Sequence, residues 1–109
     1  MLRLRNYCMP STARMSHKVY TIVTPDAFRR RLRKFLKKHP DLRDRFAEII
    51  GDLQSDPFAP HLGYHYLGGK LKGIQAVRLT DSYRITLTII ISEQEIVLID
   101  IGSHDEVYR

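Results

Sequence analysis

The C-terminal segment carries the side chains best suited to proton transfer on a nucleic acid. Residues 102–109 follow a strongly apolar stretch and read GSHDEVYR. The imidazole of a histidine ordinarily titrates at about 6.5, and a tyrosine ring can stack on a nucleobase. The segment therefore favours His104 as a general acid or base and Tyr108 as a contact to RNA. The structural alternatives are a His104 that hydrogen-bonds the backbone and a Tyr108 that packs against the sheet.

Cleavage of RNA by internal transfer needs a base for the ribose 2′-hydroxyl, cations around the phosphate and an acid for the departing 5′-oxygen. His65 is a second imidazole, on an extended segment, and would be the complementary base or a phosphate contact. Arg84 is a permanently charged fork that can hold a phosphate through two bonds, and Arg78 would share this work. The alternatives are an exposed loop histidine at position 65 and an ion pair between Arg84 and Asp100.

Three further residues are supporting candidates for substrate binding. Lys70 and Lys72 could reach an RNA backbone, although solvated lysines at a turn are equally expected. Asp81 lies at a predicted turn beside the arginines. Metal binding by His61 and His65 is a weak interpretation, because no third ligand is near them in the sequence, although His104 could converge on them from the C-terminal segment. No nucleotide cofactor is expected, since phosphate-binding glycine loops and nucleotide-binding fingerprints are lacking from the sequence. No metal is expected either.

Length and charge limit the kind of protein this chain can be. With 109 residues, of which 43% are hydrophobic, it is long enough for one domain with a modest core. A net charge of +6 attracts polyanions, so nucleic acid or an acidic protein is the expected partner. Charge alone is weak evidence, because many small proteins are basic without binding RNA.

The N-terminal region suggests no chemistry of its own. Cys8 is the single cysteine, which excludes an internal disulfide framework and suits a reducing compartment, so a cytoplasmic protein is expected. We find no signal-peptide pattern and no membrane span, and no membrane association is expected. Residues 1–15 are expected to be a loose leader before a single domain at 16–109, with Met1, Met9 or Met15 as the start.

A strand and two amphipathic helices are predicted in the first half of the chain. Residues 17–23 predict a strand, and Thr24 followed by Pro25 predicts the N-cap and first position of a helix. Its apolar stripe comprises Ala27, Phe28, Leu32, Phe35 and Leu36. A second helix is predicted from His39-Pro40-Asp41, with a stripe of Leu42, Phe46, Ile49, Ile50 and Leu53. The prolines after Ser55 end it.

The rest of the first helix is a basic face. It comprises Arg29, Arg30, Arg31, Arg33, Lys34, Lys37 and Lys38. A solvated surface and a phosphate-binding surface are equally consistent with it, because no aromatic residues are interspersed among the charges.

The second half predicts an antiparallel meander of strands at 74–80, 83–91 and 95–101. A three-residue turn at 81–83 would place Arg78 and Arg84 together on the sheet face opposite the core, with Thr86 and Thr88. The core face would then carry Val77, Leu79, Ile85, Leu87, Ile89 and Ile91. A turn of residues 93–95 also has an odd number of residues, so the same pairing rule places Val97, Ile99 and Ile101 on the core face. It leaves Asp100, Ile90, Ile96 and Leu98 on the outer face.

This order of elements, with three sequence motifs, resembles the RelE/ParE toxin superfamily of toxin–antitoxin systems. The motifs are HYLGGKLKG, the stretch from Val77 to Ile85, and the ending IGSHDEVY. The resemblance covers about residues 17–109 and is strongest to the histidine-bearing YafQ-like branch. It implies an α+β fold in the order β-α-α-β-β-β with a short C-terminal tail.

The same resemblance implies an activity and partners. YafQ-like proteins cut mRNA in the ribosomal A site, which would give His65 and His104 acid–base roles and place Tyr108 where that branch has an aromatic residue. The resemblance also implies a cognate antitoxin that covers the basic face. The chain would be a monomer alone or a hetero-oligomer with that antitoxin.

The sequence also departs from the YafQ-like pattern. That branch has another histidine and an aspartate in the region of the third strand, where this chain has Arg78 and, at the turn, Asp81-Ser82. Arg78 looks like the basic position of RelE itself, and Arg84 matches the arginine of its Tyr-Arg segment. Two alternatives stay open. A ParE-type gyrase inhibitor needs no acid–base pair, so the two histidines and Tyr108 argue against it, and a relative without catalysis would only bind antitoxin or RNA.

Overall fold

A computed structural model describes residues 19–107, apart from the side chain of Lys70. The predicted leader with Cys8, and the C-terminal Tyr108 and Arg109, lie outside the described residues. The elements are β1 (Thr21–Val23), α1 (Asp26–Lys38), α2 (Arg43–Ser55), β2 (His65–Tyr66), β3 (Gln75–Arg78), β4 (Tyr83–Ile90), β5 (Glu95–Ser103) and α3 (His104–Val107).

The amphipathic pattern places α1 as predicted, but its first residue differs. Phe28 and Phe35 are buried on the apolar stripe, about two helical turns apart. The predicted cap at Thr24 is wrong. Pro25 occupies the N-cap position with an extended ψ of 156°, and no side chain caps the helix. The hydroxyl of Thr24 instead accepts a hydrogen bond from Nε of Arg29 at 3.2 Å.

A single 3-10 turn connects α1 to α2. It spans Pro40–Leu42, where the proline fits the first position because that position needs no amide donor. α2 then buries Ile49 and Leu53 completely. The helix ends at Ser55, and the side chain of Asp56 accepts the amide proton of Phe58 at 3.0 Å. The two predicted helices are therefore confirmed.

The strands form one mixed sheet in the order β1-β5-β4-β3-β2. β1 pairs parallel to β5, and the other neighbours are antiparallel. The predicted α+β class and the meander of β3, β4 and β5 are confirmed. The sheet also contains β2, a two-residue edge strand that the sequence predicted only as an extended segment.

The turn between β3 and β4 has the predicted length. The amide of Leu79 donates to the carbonyl oxygen of Tyr83 at 3.0 Å, which leaves three residues, Thr80–Ser82, in the turn. The predicted position at residues 81–83 is wrong by one residue. Parity is unaffected by this shift, so Val77 pairs with Ile85 on the core face.

The turn between β4 and β5 contradicts the predicted register. Ile90 pairs with Glu95, so the loop has four residues, and Gln94 within it has a φ of +53°. A loop of even length pairs residues of unlike parity. A β-bulge between Thr86 and Leu87 then adds one residue to β5, because Thr86 pairs with Asp100 whereas Leu87 pairs with Leu98.

Burial along β5 follows from these two irregularities. Ile96 and Leu98, predicted outside, are completely buried, whereas Val97 and Ile99, predicted inside, are only half-buried. Ile101 lies beyond the bulge and is buried as predicted. Ile91 was predicted on the core face, but it is 65% exposed because the chain leaves β4 at Ile90.

One hydrophobic core lies between the two helices and the sheet. Phe28, Ile49 and Leu53 pack there against strand residues such as Leu87 and Leu98. We call the opposite side of the sheet the arginine face; it carries His65, Arg78, Arg84, Thr86 and Gly102. Among residues 19–107, no helix is long and apolar enough to cross a membrane.

Candidate active site

The strand register brings three of the predicted site residues onto the arginine face. Arg78 and Arg84 lie directly opposite each other on β3 and β4. His65 on β2 pairs with Ala76, two residues from Arg78 on the same strand, so its side chain leaves the same face. Such diagonal neighbours have Cα atoms about 7–8 Å apart, which is within reach of long side chains. The register thus groups an imidazole with two guanidinium groups.

Arg84 is anchored to the backbone of the β3–β4 turn. Its Nη1 donates to the carbonyl oxygens of Thr80 at 2.7 Å, Tyr83 at 3.1 Å and Asp81 at 3.3 Å. The alternative ion pair between Arg84 and Asp100 does not form. The carboxylate of Asp100 instead lies 3.9 Å from Nε of Arg31. Arg84 therefore fixes the turn while its positive charge stays on the arginine face.

Arg78 has a different environment from that of Arg84. It is exposed at the end of β3, and within residues 19–107 its guanidinium makes no hydrogen bond or ion pair. Gly63 lies beside it with a φ of +63°, and a Cβ at that position would be 3.7 Å from Nη2 of Arg78. The loop before β2 therefore passes close to this guanidinium, which remains accessible to an anion.

The ring of His65 is oriented by its own loop. Nδ1 lies 2.8 Å from the carbonyl oxygen of Gly63. A carbonyl can only accept, so Nδ1 carries the proton of this bond, and in the neutral ring Nε2 bears the lone pair. This is the tautomer that a general base needs.

Two tyrosines flank His65 and form an aromatic row with Phe58. Ring centroids are 4.9 Å apart between Phe58 and Tyr64 and 5.8 Å apart between Tyr64 and Tyr66. Burial and a hydrogen bond with Tyr66 raise the pKa of Tyr64 to about 12. Tyr64 therefore stays neutral at physiological pH, whereas the ring of Tyr66 is 73% exposed at the sheet edge.

His104 begins α3, directly after the last residue of β5. Its side chain is 63% exposed, and its Nδ1 lies 3.7 Å from Oδ1 of Asp105. The short helix lies against the arginine face, because a Cβ on Gly102 would be 2.8 Å from Oε1 of Glu106. Gly102 itself pairs with Arg84. His104 is therefore attached at the border of this face.

The arginine face is not accessible throughout. Ala76 and Thr86 lie on it, yet they are 0% and 3% exposed. Val107 of α3 is also buried. The accessible part of the face is consequently the region around Arg78 and His65 and the start of α3.

The whole architecture matches solved structures of bacterial toxins. YafQ from Escherichia coli superposes with a TM-score of 0.69 and 13% identity, over 83% of this chain and 99% of YafQ. A metal-bound toxin from Helicobacter pylori has a TM-score of 0.67 and 29% identity, over 81% and 98% of the two chains. The toxin–antitoxin complex RelBE2 from Mycobacterium tuberculosis has a TM-score of 0.60 and 24% identity, over 78% of this chain and 98% of the matched chain.

By these superpositions, this chain has the fold of the RelE/ParE toxins. No protein-family model matches the sequence, and no curated protein matches it. The superfamily resemblance predicted from the motifs is thereby confirmed.

Several predicted site residues of this RelE/ParE-fold chain lie elsewhere or are not described. Lys72 is exposed near the β2–β3 connection, and Asp81 is exposed in the turn, where its carbonyl oxygen accepts from Arg84. Tyr108 and the side chain of Lys70 lie outside the described residues. His61 faces α2, since its Nε2 is 2.8 Å from Oδ2 of Asp52. No cluster of three possible metal ligands occurs within residues 19–107.

Sequence reasoning missed two features near the site. Ser103 and Glu106 cap α3, and the spacing S-x-x-E is a sequence signal that could have revealed this. The second feature is a cleft of about 320 Å³ between α1 and the end of β5, lined in part by Arg31, Lys34, Lys38, His39, Asp100 and Glu106. Arg31 enters it by donating to the carbonyl oxygen of Ile99 at 3.2 Å. This contact depends on the bulge, so no sequence signal predicts it.

Proposed function

We propose that this chain is the toxin of a toxin–antitoxin pair and inhibits translation as an endoribonuclease that cleaves mRNA in the ribosomal A site. The observation that supports this most is the register that puts His65, Arg78 and Arg84 on one sheet face. The fold shared with solved toxins supports the toxin role.

The proposed reaction uses the 2′-hydroxyl of the RNA as its nucleophile. Nε2 of His65 takes the 2′-hydroxyl proton, because Nδ1 is already bound to the carbonyl oxygen of Gly63. The 2′-oxygen then forms a bond to phosphorus while the bond from phosphorus to the 5′-oxygen breaks. His104 donates a proton to that departing oxygen. The products are a 2′,3′-cyclic phosphate and a 5′-hydroxyl, so atoms and protons balance.

The two arginines have unequal parts in this reaction. Arg78 contacts the non-bridging phosphate oxygens, because it is exposed and has no internal partner in the described part of the chain. Arg84 contributes positive charge from its position on the turn carbonyls. Charge that grows on the phosphate in the transition state is stabilised by such fixed cations. Tyr108 stacks on a base, and Lys70, Lys72 and Asp81 border the path of the RNA.

The proposed antitoxin binds the basic face of α1. Four cations, Arg30, Arg33, Lys34 and Lys37, are exposed there and make no ion pair among the described residues. An acidic antitoxin segment would complement them, and RelBE2 was solved as a toxin–antitoxin complex. Both partners place the protein in the cytoplasm, where mRNA is translated. Co-expression of a small acidic protein encoded by a neighbouring gene should abolish toxicity. Charge reversal at Arg33 and Lys37 should weaken that protection.

Expression in bacterial cells tests the activity. Wild type, His104→Ala and His61→Ala are induced, and new mRNA 5′ ends and gyrase-linked DNA breaks are mapped. We expect in-frame mRNA ends with wild type and a loss of about 10²- to 10⁴-fold for His104→Ala. His61→Ala is the matched control, because that ring is paired with Asp52 away from the arginine face. DNA breaks without RNA ends would establish gyrase poisoning, and toxicity that survives His104→Ala without either would establish a binder.

A further inference from the structure

The junction between β5 and α3 is a reciprocal capping box. Oε1 of Glu106 accepts the amide proton of Ser103 at 2.8 Å, and the hydroxyl of Ser103 accepts the amide proton of Glu106 at 3.3 Å. Ser103 is at the same time the last residue of β5 and pairs with Tyr83. Ser103 therefore ends the strand and caps the helix, and His104 follows it immediately.

A helix as short as α3 cannot hold its shape by itself. It has four residues, and forming a first helical turn fixes many dihedral angles for very few hydrogen bonds. The box supplies the partners that the first amides of the helix would otherwise lack. Burial of Val107 holds the other end of the turn. The direction in which His104 leaves the sheet is therefore set by the Ser103–Glu106 pair.

Glu106 also fixes the distance of α3 from the sheet. A Cβ on Gly102 would lie 2.8 Å from Oε1 and 3.3 Å from Cβ of Glu106, so the glutamate side chain packs directly on the glycine. Gly102 pairs with Arg84, whose partner on the next strand is Arg78. The capping box thus places α3 in register with the row of arginines.

We propose that Ser103 and Glu106 are positioning residues that hold His104 in its reactive place beside Arg84 and Arg78. The inference rests on the proposed nuclease function, because it assigns His104 the proton that leaves with the 5′-oxygen. Glu106 acts through the hydrogen bond that its Oε1 accepts from the Ser103 amide. A displacement of about 1 Å at a reacting group can lower a rate about 100-fold, so a loosened cap is costly.

Four variants of the full chain separate positioning from charge. Glu106→Ala removes the cap, whereas Glu106→Gln keeps an oxygen acceptor and removes the charge. Ser103→Ala and Ser103→Thr form the equivalent pair for the hydroxyl. Asp105→Asn is the matched control, because it neutralises a carboxylate 3.7 Å from His104 that is not part of the box. Cleavage of mRNA on purified ribosomes gives kcat and KM, and amide hydrogen exchange by NMR reports the cap itself.

We expect Glu106→Ala and Ser103→Ala to lower kcat about 10- to 100-fold with KM changed less than about threefold. Glu106→Gln, Ser103→Thr and Asp105→Asn should stay within about threefold of wild type. Exchange of the Ser103 amide should accelerate at least about tenfold in Glu106→Ala only. Equal losses in Glu106→Gln and Asp105→Asn, or wild-type rates in both alanine variants, would overturn the inference. If the wild-type chain leaves RNA intact while hydrogen exchange of its Ser103 amide remains slow, the cap is present and the proposed nuclease function is refuted.

Discussion

Arg78 and Arg84 lie directly opposite each other on adjacent antiparallel strands. Like charges in this arrangement destabilise a sheet by about 0.2–1 kcal/mol. The structure lowers this cost by attaching Nη1 of Arg84 to three carbonyl oxygens of the turn, of which Thr80 is nearest at 2.7 Å. Arg78 remains exposed. The pair therefore combines one structural and one accessible guanidinium.

Substitution of the two arginines should consequently have different effects on stability. Arg84→Ala should lower the free energy of unfolding by about 1.5–3 kcal/mol, because the turn carbonyls lose a charged donor. Arg78→Ala should leave stability unchanged or raise it slightly by relieving repulsion, while it lowers RNA cleavage at least about tenfold. Urea unfolding and a cleavage assay measure both quantities. A destabilised Arg78→Ala variant would mean that this guanidinium has a structural role.

The register of β5 after the four-residue loop can be tested by two neighbouring substitutions. Leu98→Ala should cost about 2–5 kcal/mol, because this side chain is completely buried. Val97→Ala should cost roughly 1 kcal/mol, since Val97 is half-buried. Thermal or urea unfolding of both variants gives the comparison. The register predicted from the sequence requires the opposite order, so a greater loss for Val97→Ala would contradict the register that the four-residue loop sets.

The contact between Gly102 and Glu106 should appear as non-additive stability. Gly102→Ala should cost about 1–3 kcal/mol, because the added Cβ would lie 2.8 Å from Oε1 of Glu106. In a Glu106→Ala background the same substitution should cost less by at least about 0.5 kcal/mol, since that oxygen is gone. A double-mutant cycle measured by urea unfolding provides the value. Simple additivity would show that α3 does not press on Gly102.

Tyr64 should titrate at a higher pH than an ordinary tyrosine. Burial, followed by the hydrogen bond and charge of Tyr66, raises its pKa from the ordinary 10.0 to about 12. A raised pKa means that the folded chain holds the proton more tightly than the unfolded chain. The resulting stabilisation is fully present below pH 10 and is lost as pH rises through about 12.

Absorbance at 295 nm against pH should show this late step in wild type. Tyr64→Phe should remove it and flatten the dependence of stability on pH across that interval. Tyr66→Phe should lower the pKa of Tyr64 toward its ordinary value, because the hydroxyl partner is lost. Persistence of the late step in Tyr64→Phe would assign it to another tyrosine.

The amino-acid sequence by itself determined the helices and the grouping of the arginines. Phe28 and Phe35, and Ile49 and Leu53, are buried as their spacing predicts, because helical periodicity is a local property. The length of the β3–β4 turn is also a local property, and an odd length puts paired even-numbered residues on the same face. The shared face of Arg78 and Arg84 was therefore predictable.

Only the tertiary structure decided the pairing of β5 and the placement of α3. The stretch from Ile96 to Ile99 is apolar at every position, so alternation could not indicate which residues lie inside. The four-residue loop and the bulge decide it, because together they bury Ile96 and Leu98 against the helices and still return Ile101 to the core. The contact of Glu106 with Gly102, and of Arg31 with the carbonyl of Ile99, follow from that pairing and exist only once the sheet is assembled.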